Sequence, residues 1–216
     1  MRQIKRDSAD VGKFNSWAKK KKLRRWQEFS APSATYINAY KATRKYIGET
    51  EQSHLSAYTE KPLGAKTHID HFRKRDLYPK LTFDYANFLA DELNDNYGAC
   101  YKDKDASVTK ATFDGTDRIF NPASENMADV IGFMLNGTMI PKQDLKGDIK
   151  KRVTETIRVF NLNHKSLKDT RKYIINLVTS YRKDGFTPDE IKKYMEEYGF
   201  PTIVNWALNI PLSTDT

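Results

Sequence analysis

The spacing of apolar residues predicts helices at both ends of the chain and something less regular between them. Phe14, Trp17, Leu23, Trp26 and Phe29 recur at roughly helical spacing, which predicts a helix over 13–29. A second helix is expected over 33–47, with Ser33 as its cap and Ile37, Tyr40, Arg44 and Ile47 along one side. The stretch from about 55 to 142 is rich in Gly, Pro, Asp, Asn and aromatic residues, and its apolar runs are short. Residues 67–72 and 81–83 read as short strands, and 87–93 as a helix ending among Asn94, Asn96 and Gly98. Residues 130–135 and 138–140 flank Asn136-Gly137, a pair that suits a two-residue type I′ hairpin turn. From about 145 the helical pattern returns. Ile149, Val153, Ile157 and Phe160 share one face, and Leu167, Ile174, Leu177, Val178 and Tyr181 another. Thr187-Pro188-Asp189-Glu190 is a strong helix start: a capping hydroxyl, Pro at the first position, and acids at the positive dipole end. Residues 201–208 predict a last short helix. The expected class is α+β, mostly α. A basic helical segment (1–54) precedes a core of short strands and hairpins (55–142), and a C-terminal helical region (143–216) completes one compact domain with that core.

Composition sharpens this. The chain has 216 residues, enough to bury a core without disulfides or metal staples. The single cysteine, Cys100, excludes a disulfide framework and a multi-cysteine zinc ribbon, and fits a reducing compartment. No apolar run is long enough to cross a membrane, and no apolar stretch follows the N-terminal basic residues as in a secretory signal. A cytoplasmic protein is therefore expected. The net charge of +9 leans toward an anionic partner, nucleic acid first. Ten basic and three acidic side chains lie in residues 1–30, so most of the excess is N-terminal. Residues 57–104, by contrast, balance to zero.

That neutral region carries the candidate chemistry, in His68-Ile69-Asp70-His71-Phe72. On a strand, His68, Asp70 and Phe72 point to one face and His71 to the other. The carboxylate is a hard oxygen ligand suited to Mg²⁺ or Mn²⁺, and the adjacent imidazole titrates near neutrality and can take a proton from water. Asn87 follows His71 by sixteen residues, Asn96 follows Asn87 by nine, and Cys100 follows Asn96 by four. This is the layout of an HNH, or ββα-metal, nuclease site. A strand ends at ligand and base, a central Asn holds the loop, and a helix returns the remaining ligands.

Further stretches agree. Ala57 to Leu63, Thr67 to Arg75, Leu81-Thr82-Phe83, Tyr97-Gly98-Ala99, Tyr101-Lys102-Asp103, Phe120-Asn121-Pro122, Gly137 and Thr156 to Asn163 resemble the bacterial HNH proteins of the Septu and retron-associated PtuB family. The resemblance covers about residues 57–175. It implies a metal-dependent nuclease acting in anti-phage defence with an ATPase of the SMC/ABC type (PtuA-like), and in retron systems with a reverse transcriptase and its reverse-transcribed DNA. A DNA target is favoured, with tRNA or other RNA as the alternative. The chain departs from many HNH proteins in lacking two Cys pairs and in placing Cys where His or Asn is commoner.

The expected mechanism is metal-assisted phosphodiester hydrolysis. Asp70 and Asn96, with waters, hold one divalent ion, His71 deprotonates the attacking water, and Asn87 positions the backbone or ring of His71. Cys100 is either a further ligand or a core thiol, and Asn96 has helix capping as its rival role. Lys102, Arg73 and Lys74 are candidates for phosphate contact. His68 reads as a support for the ligands or as a strand histidine without a role. Glu60 reads as the same kind of support or as an exposed loop residue. Lys19, Lys20, Lys21, Lys22, Arg24 and Arg25 read as phosphate contacts, a solvated face, or a dock for an acidic patch on the ATPase. The alternative function is a non-catalytic nucleic-acid-binding or adaptor subunit on a degenerate HNH scaffold.

Overall fold

Asp7 opens the first helix: its carboxylate accepts from the Ala9 N–H, and α1 runs Ser8–Lys20. The computed structural model describes residues 1–212. Lys22 adopts a left-handed conformation (φ 53°), which breaks the single helix expected over 13–29 into α1 and a short α2, Gln27–Ser30. The apolar positions of that pattern nevertheless meet: Phe14, Trp17, Leu23, Trp26 and Phe29 pack in one aromatic cluster. The second helix, α3, spans Ile37–Tyr46, shorter than expected, and widens into a π turn over Ile47–Glu51. Its N-cap is Tyr36 rather than Ser33.

The centre is a hairpin followed by a helix. Strand β1, Thr67–His71, pairs antiparallel with β2, Phe88–Glu92, in a register that sets Asp70 opposite Leu89 and His71 opposite Phe88. Helix α4, Gly98–Lys104, follows. Two expectations are corrected here. The segment expected as a helix over 87–93 instead holds strand β2, and 81–83, expected as a strand, lie in a turn that begins with the 3-10 turn Pro79–Leu81. Phe88, Leu89 and Ala90 are all buried, because apolar clusters cover both faces of the hairpin, so the alternation that marks a half-buried strand is absent.

Helix α5, Lys110–Asp114, leads to a second hairpin, β3 (Ile131–Phe133) with β4 (Met139–Pro141). β3 is shorter than expected, β4 is shifted by one residue, and Met134 and Thr138 close a three-residue tip instead of a two-residue turn. Gly137 there has φ 80° and lies so close to the α7 backbone at Lys168 that a side chain would collide. The C-terminal third is helical as the pattern predicts: α6 Gly147–Val159, α7 Lys165–Lys183, α8 Pro188–Met195 and α9 Pro201–Asn209. Thr187 and Glu190 form the capping box at α8. The expected C-terminal region extends to 216, and 213–216 lie outside the described residues.

The architecture is α+β and mostly α, with two small antiparallel sheets. The first hairpin is the wall between two cores. Ile69, Phe88 and Ala90 face the N-terminal aromatic cluster, while Leu89 faces the larger core built with Tyr58, Phe160 and the C-terminal helices. Arg6 crosses this wall, donating to Glu51 and to the carbonyls of Tyr85 and Phe88. Among the described residues no helix is long and apolar enough to cross a membrane.

Candidate functional site

The alternation of β1 sends Asp70 and His71 to opposite sides of the wall, as strand geometry requires. Both are buried, at 2% and 5% exposure. On the larger core's side the Asp70 carboxylate accepts from the Tyr58 hydroxyl and lies 3.4 Å from Lys102 Nζ. Helix α4 supplies that ammonium, which also donates to Asp103 Oδ1 at 2.6 Å and to the His71 carbonyl at 3.0 Å. Burial opposes ionisation of Asp70. The Lys102 and His68 charges and the Tyr58 hydroxyl outweigh it, so its carboxyl lies below the usual range. Asp103, whose side chain is 51% exposed, is pushed up by the desolvation of its inner side and by Asp70. Burial works against the Lys102 charge too, but Asp70 and Asp103 hold its pKa above normal.

On the other side, His71 Nε2 lies 3.0 Å from the Thr82 carbonyl. A carbonyl only accepts, so Nε2 carries the proton and Nδ1 keeps its lone pair. The edge of Trp26 packs on this ring at 4.4 Å between centroids, and Phe88 at 5.1 Å. Burial drives the imidazole pKa down to about 4, Arg75 and Lys102 push the same way, and the Thr82 bond and Asp70 resist. His71 is therefore neutral at pH 7, in one tautomer.

Asn87 fastens the loop that joins the strands. Its Oδ1 accepts from the Arg73 N–H at 2.8 Å, and its Nδ2 donates to the Arg73 carbonyl at 3.0 Å. The amide thus holds the backbone two residues beyond His71. Behind the hairpin, buried Asp91 accepts from Ser56 Oγ at 2.5 Å and from the Ala99 N–H at 2.7 Å. A side chain at Gly98 (φ 72°) would strike this carboxylate, so glycine lets α4 start directly on it. Burial raises the Asp91 pKa to about 6. His68 Nδ1 lies 3.0 Å from the Asp91 carbonyl, half-buried beside the same strand.

Other expected site residues fall elsewhere. Asn96 precedes α4 rather than lying on it. Its side chain is exposed, and its carbonyl accepts from Asn161. Cys100 is half-buried on α4. Burial raises its thiol pKa, and Asp91, Asp70 and Asp103 raise it further. Lys102 is fully buried between carboxylates and cannot serve as an exposed phosphate contact. Arg73 pairs with Asp114 at 2.7 Å. Glu60 is not an exposed loop residue but a buried one. It bonds Thr202 at the start of α9 and the Met1 amine at 3.2 Å, which places it in the structural core. Lys74 is 9% exposed, and its ammonium has no hydrogen bond or ion pair among the described residues. Lys19, Lys20, Lys21, Lys22, Arg24 and Arg25 are all exposed.

Two groups of this centre, Tyr58 and Asp103, carry no site signal of their own in the sequence. Tyr58 sits twelve residues before the carboxylate it holds, and Asp103 is only part of a motif. What points to Asp103 is its place one helical turn beyond Ala99 on the returning helix.

The donors suit a hard cation in kind. Two carboxylates and a main-chain carbonyl, all oxygen, converge on one position, and the Lys102 ammonium stands in it. Among the described residues no three His, Cys, Asp or Glu side chains converge as a ligand set. An ion at this position would rest on Asp70 and Asp103, with Lys102 withdrawn. Neither family models nor curated proteins show a match to this chain.

Proposed function

We propose that this protein is a metal-dependent nuclease of the HNH type that hydrolyses phosphodiester bonds in nucleic acid. One observation carries the reading: a neutral, single-tautomer His71 whose own carbonyl touches the cation held between Asp70 and Asp103. Proton acceptor and cation position are thereby tied to one residue at the end of β1. The Asn87 clamp and the strand–loop–strand–helix order support it.

The residues divide the work. Nδ1 of His71 accepts the proton of the attacking water once Trp26 gives way. Thr82 keeps Nε2 protonated, which leaves Nδ1 as the basic atom, and Asn87 fixes the loop on which both depend. Lys74, which makes no hydrogen bond or ion pair among the described residues and whose charge helps to lower the Asp103 pKa, would pair with a phosphate. Asp70 and Asp103 would hold Mg²⁺ or Mn²⁺, which when bound would stabilise charge developing at the phosphate and leaving oxygen. The resemblance to PtuB proteins extends the proposal to a cytoplasmic anti-phage role beside an SMC/ABC-type ATPase, and in retron systems beside the reverse transcriptase and its DNA product.

A second reading has one observation in its favour: Lys102 already fills the cation position. It makes the chain a nucleic-acid-binding or adaptor subunit that does not cut. Plasmid, oligonucleotide and total tRNA, each challenged with Mg²⁺ or Mn²⁺, separate the two. The nuclease reading predicts cleavage abolished by chelator and by Asp70→Asn, and a melting temperature raised by Mn²⁺ in the parent but not in the variant. Binding without cutting under every condition, with no shift by Mn²⁺, would establish the second reading.

A further inference from the structure

A groove of about 630 Å³ runs between the C-terminal end of α1 and the turn over residues 79–84. Lys19, Lys22, Arg24 and Lys80 line it, and their charged groups make no ion pair or hydrogen bond among the described residues. Its one carboxylate, Asp84, is engaged by Asn15 at 3.0 Å and by the Ala86 N–H at 3.1 Å. Four cations that make no ion pair face a single carboxylate in this concavity, so it is net positive and suits an external polyanion. The wall is not purely ionic. Leu23 and the half-buried ring of Phe83 face the same space. An unpaired base offers a flat apolar face to such a ring, whereas a duplex keeps its bases stacked inside. The groove also borders the proposed reaction centre. Thr82 lines it, and the carbonyl of Thr82 is the group that orients His71.

We propose that this groove is a binding track for the backbone of a single nucleic-acid strand, with Phe83 as a base platform, feeding the His71 side of the hairpin. Lys80 is the telling member, since it lies far from the basic N-terminal run in sequence and joins it only through the fold. The proposal rests on the nuclease reading for where the strand leads, but binding is measured apart from cleavage.

The experiment titrates a fluorescent single-stranded oligonucleotide with full-length His71→Gln protein at several salt concentrations. Log affinity should fall linearly with log salt. Lys80→Gln and Lys22→Gln should each weaken binding several-fold and lower the salt slope by about 0.7. Lys193→Gln, an exposed lysine on α8, should change neither. Phe83→Ala should weaken single-strand binding at unchanged salt slope. Unlabelled duplex and poly-glutamate should compete at least tenfold less well than unlabelled single strand. The proposal is overturned if Lys80→Gln behaves like Lys193→Gln, or if duplex or poly-glutamate competes as well as the single strand. Parent protein that cuts while Lys80→Gln leaves affinity unchanged would sink the groove alone. Lys80-dependent binding without cleavage by the parent would sink the nuclease reading alone.

Discussion

At the residue scale the site is governed by ionisable groups whose charge burial opposes. His71 and Asp91 sit on the same hairpin, and burial keeps each neutral over part of the acid range, with opposite consequences for stability. The His71 ring titrates near 4 in the folded chain and near its ordinary 6.5 when unfolded. The unfolded state therefore takes the proton first, and this contribution is lost as pH falls from 6.5 toward 4. Asp91 titrates near 6 when folded, so the folded state takes the proton first, and its contribution is lost as pH rises through 6. Between about 4 and 6 the two oppose one another. Asp91→Asn removes the opposing member, so its unfolding free energy should fall more steeply between pH 6 and 4 than that of the parent. Parallel pH profiles in denaturant titrations would contradict the assignment. Asn87→Ala leaves the Arg73 N–H and carbonyl without partners and should cost about 1–3 kcal/mol, read from the denaturation midpoint.

At the element scale, what the pattern predicted well were the segments with their own local signals. Thr187 and Glu190 made α8 readable because both halves of the capping box lie within four residues. Strand β1 was found, and with it the opposed faces of Asp70 and His71. Strand β2 was missed because its burial comes from two clusters assembled from distant parts of the chain. The pairing of Asp70 with Lys102 was equally invisible, since it depends on where α4 lands against the hairpin. Lys102 looked like a surface cation because composition carries no burial. The break at Lys22 had no local signal either, yet it lets Trp26 turn onto His71. Trp26→Ala should consequently cost about 3–5 kcal/mol and move the His71 ring pKa from about 4 back toward 6.5. NMR titration of the ring protons reads that shift. An unmoved pKa would mean that Trp26 is not what keeps water from His71.

At the scale of the whole molecule, the excess positive charge and the hairpin are parts of one surface. Arg6, counted in the basic N-terminal run, is buried in the wall between the cores, whereas the lysines at the end of α1 stay exposed along the groove. The N-terminal cluster is also much the smaller of the two cores. It should therefore open at a lower free energy than the rest, exposing His71 without global unfolding. Hydrogen exchange should show α1–α3 amides exchanging faster than those of α6 and α7. Equal protection throughout would mean that His71 is uncovered only when the whole chain unfolds. The central claim concerns chemistry at that residue, and the most direct measurement pairs the parent protein with His71→Gln. Both are incubated with nucleic acid and Mn²⁺, their melting temperatures having first been matched. The account predicts cleavage by the parent and none by the variant, with oligonucleotide affinity unchanged. Equal cleavage by the two would contradict it.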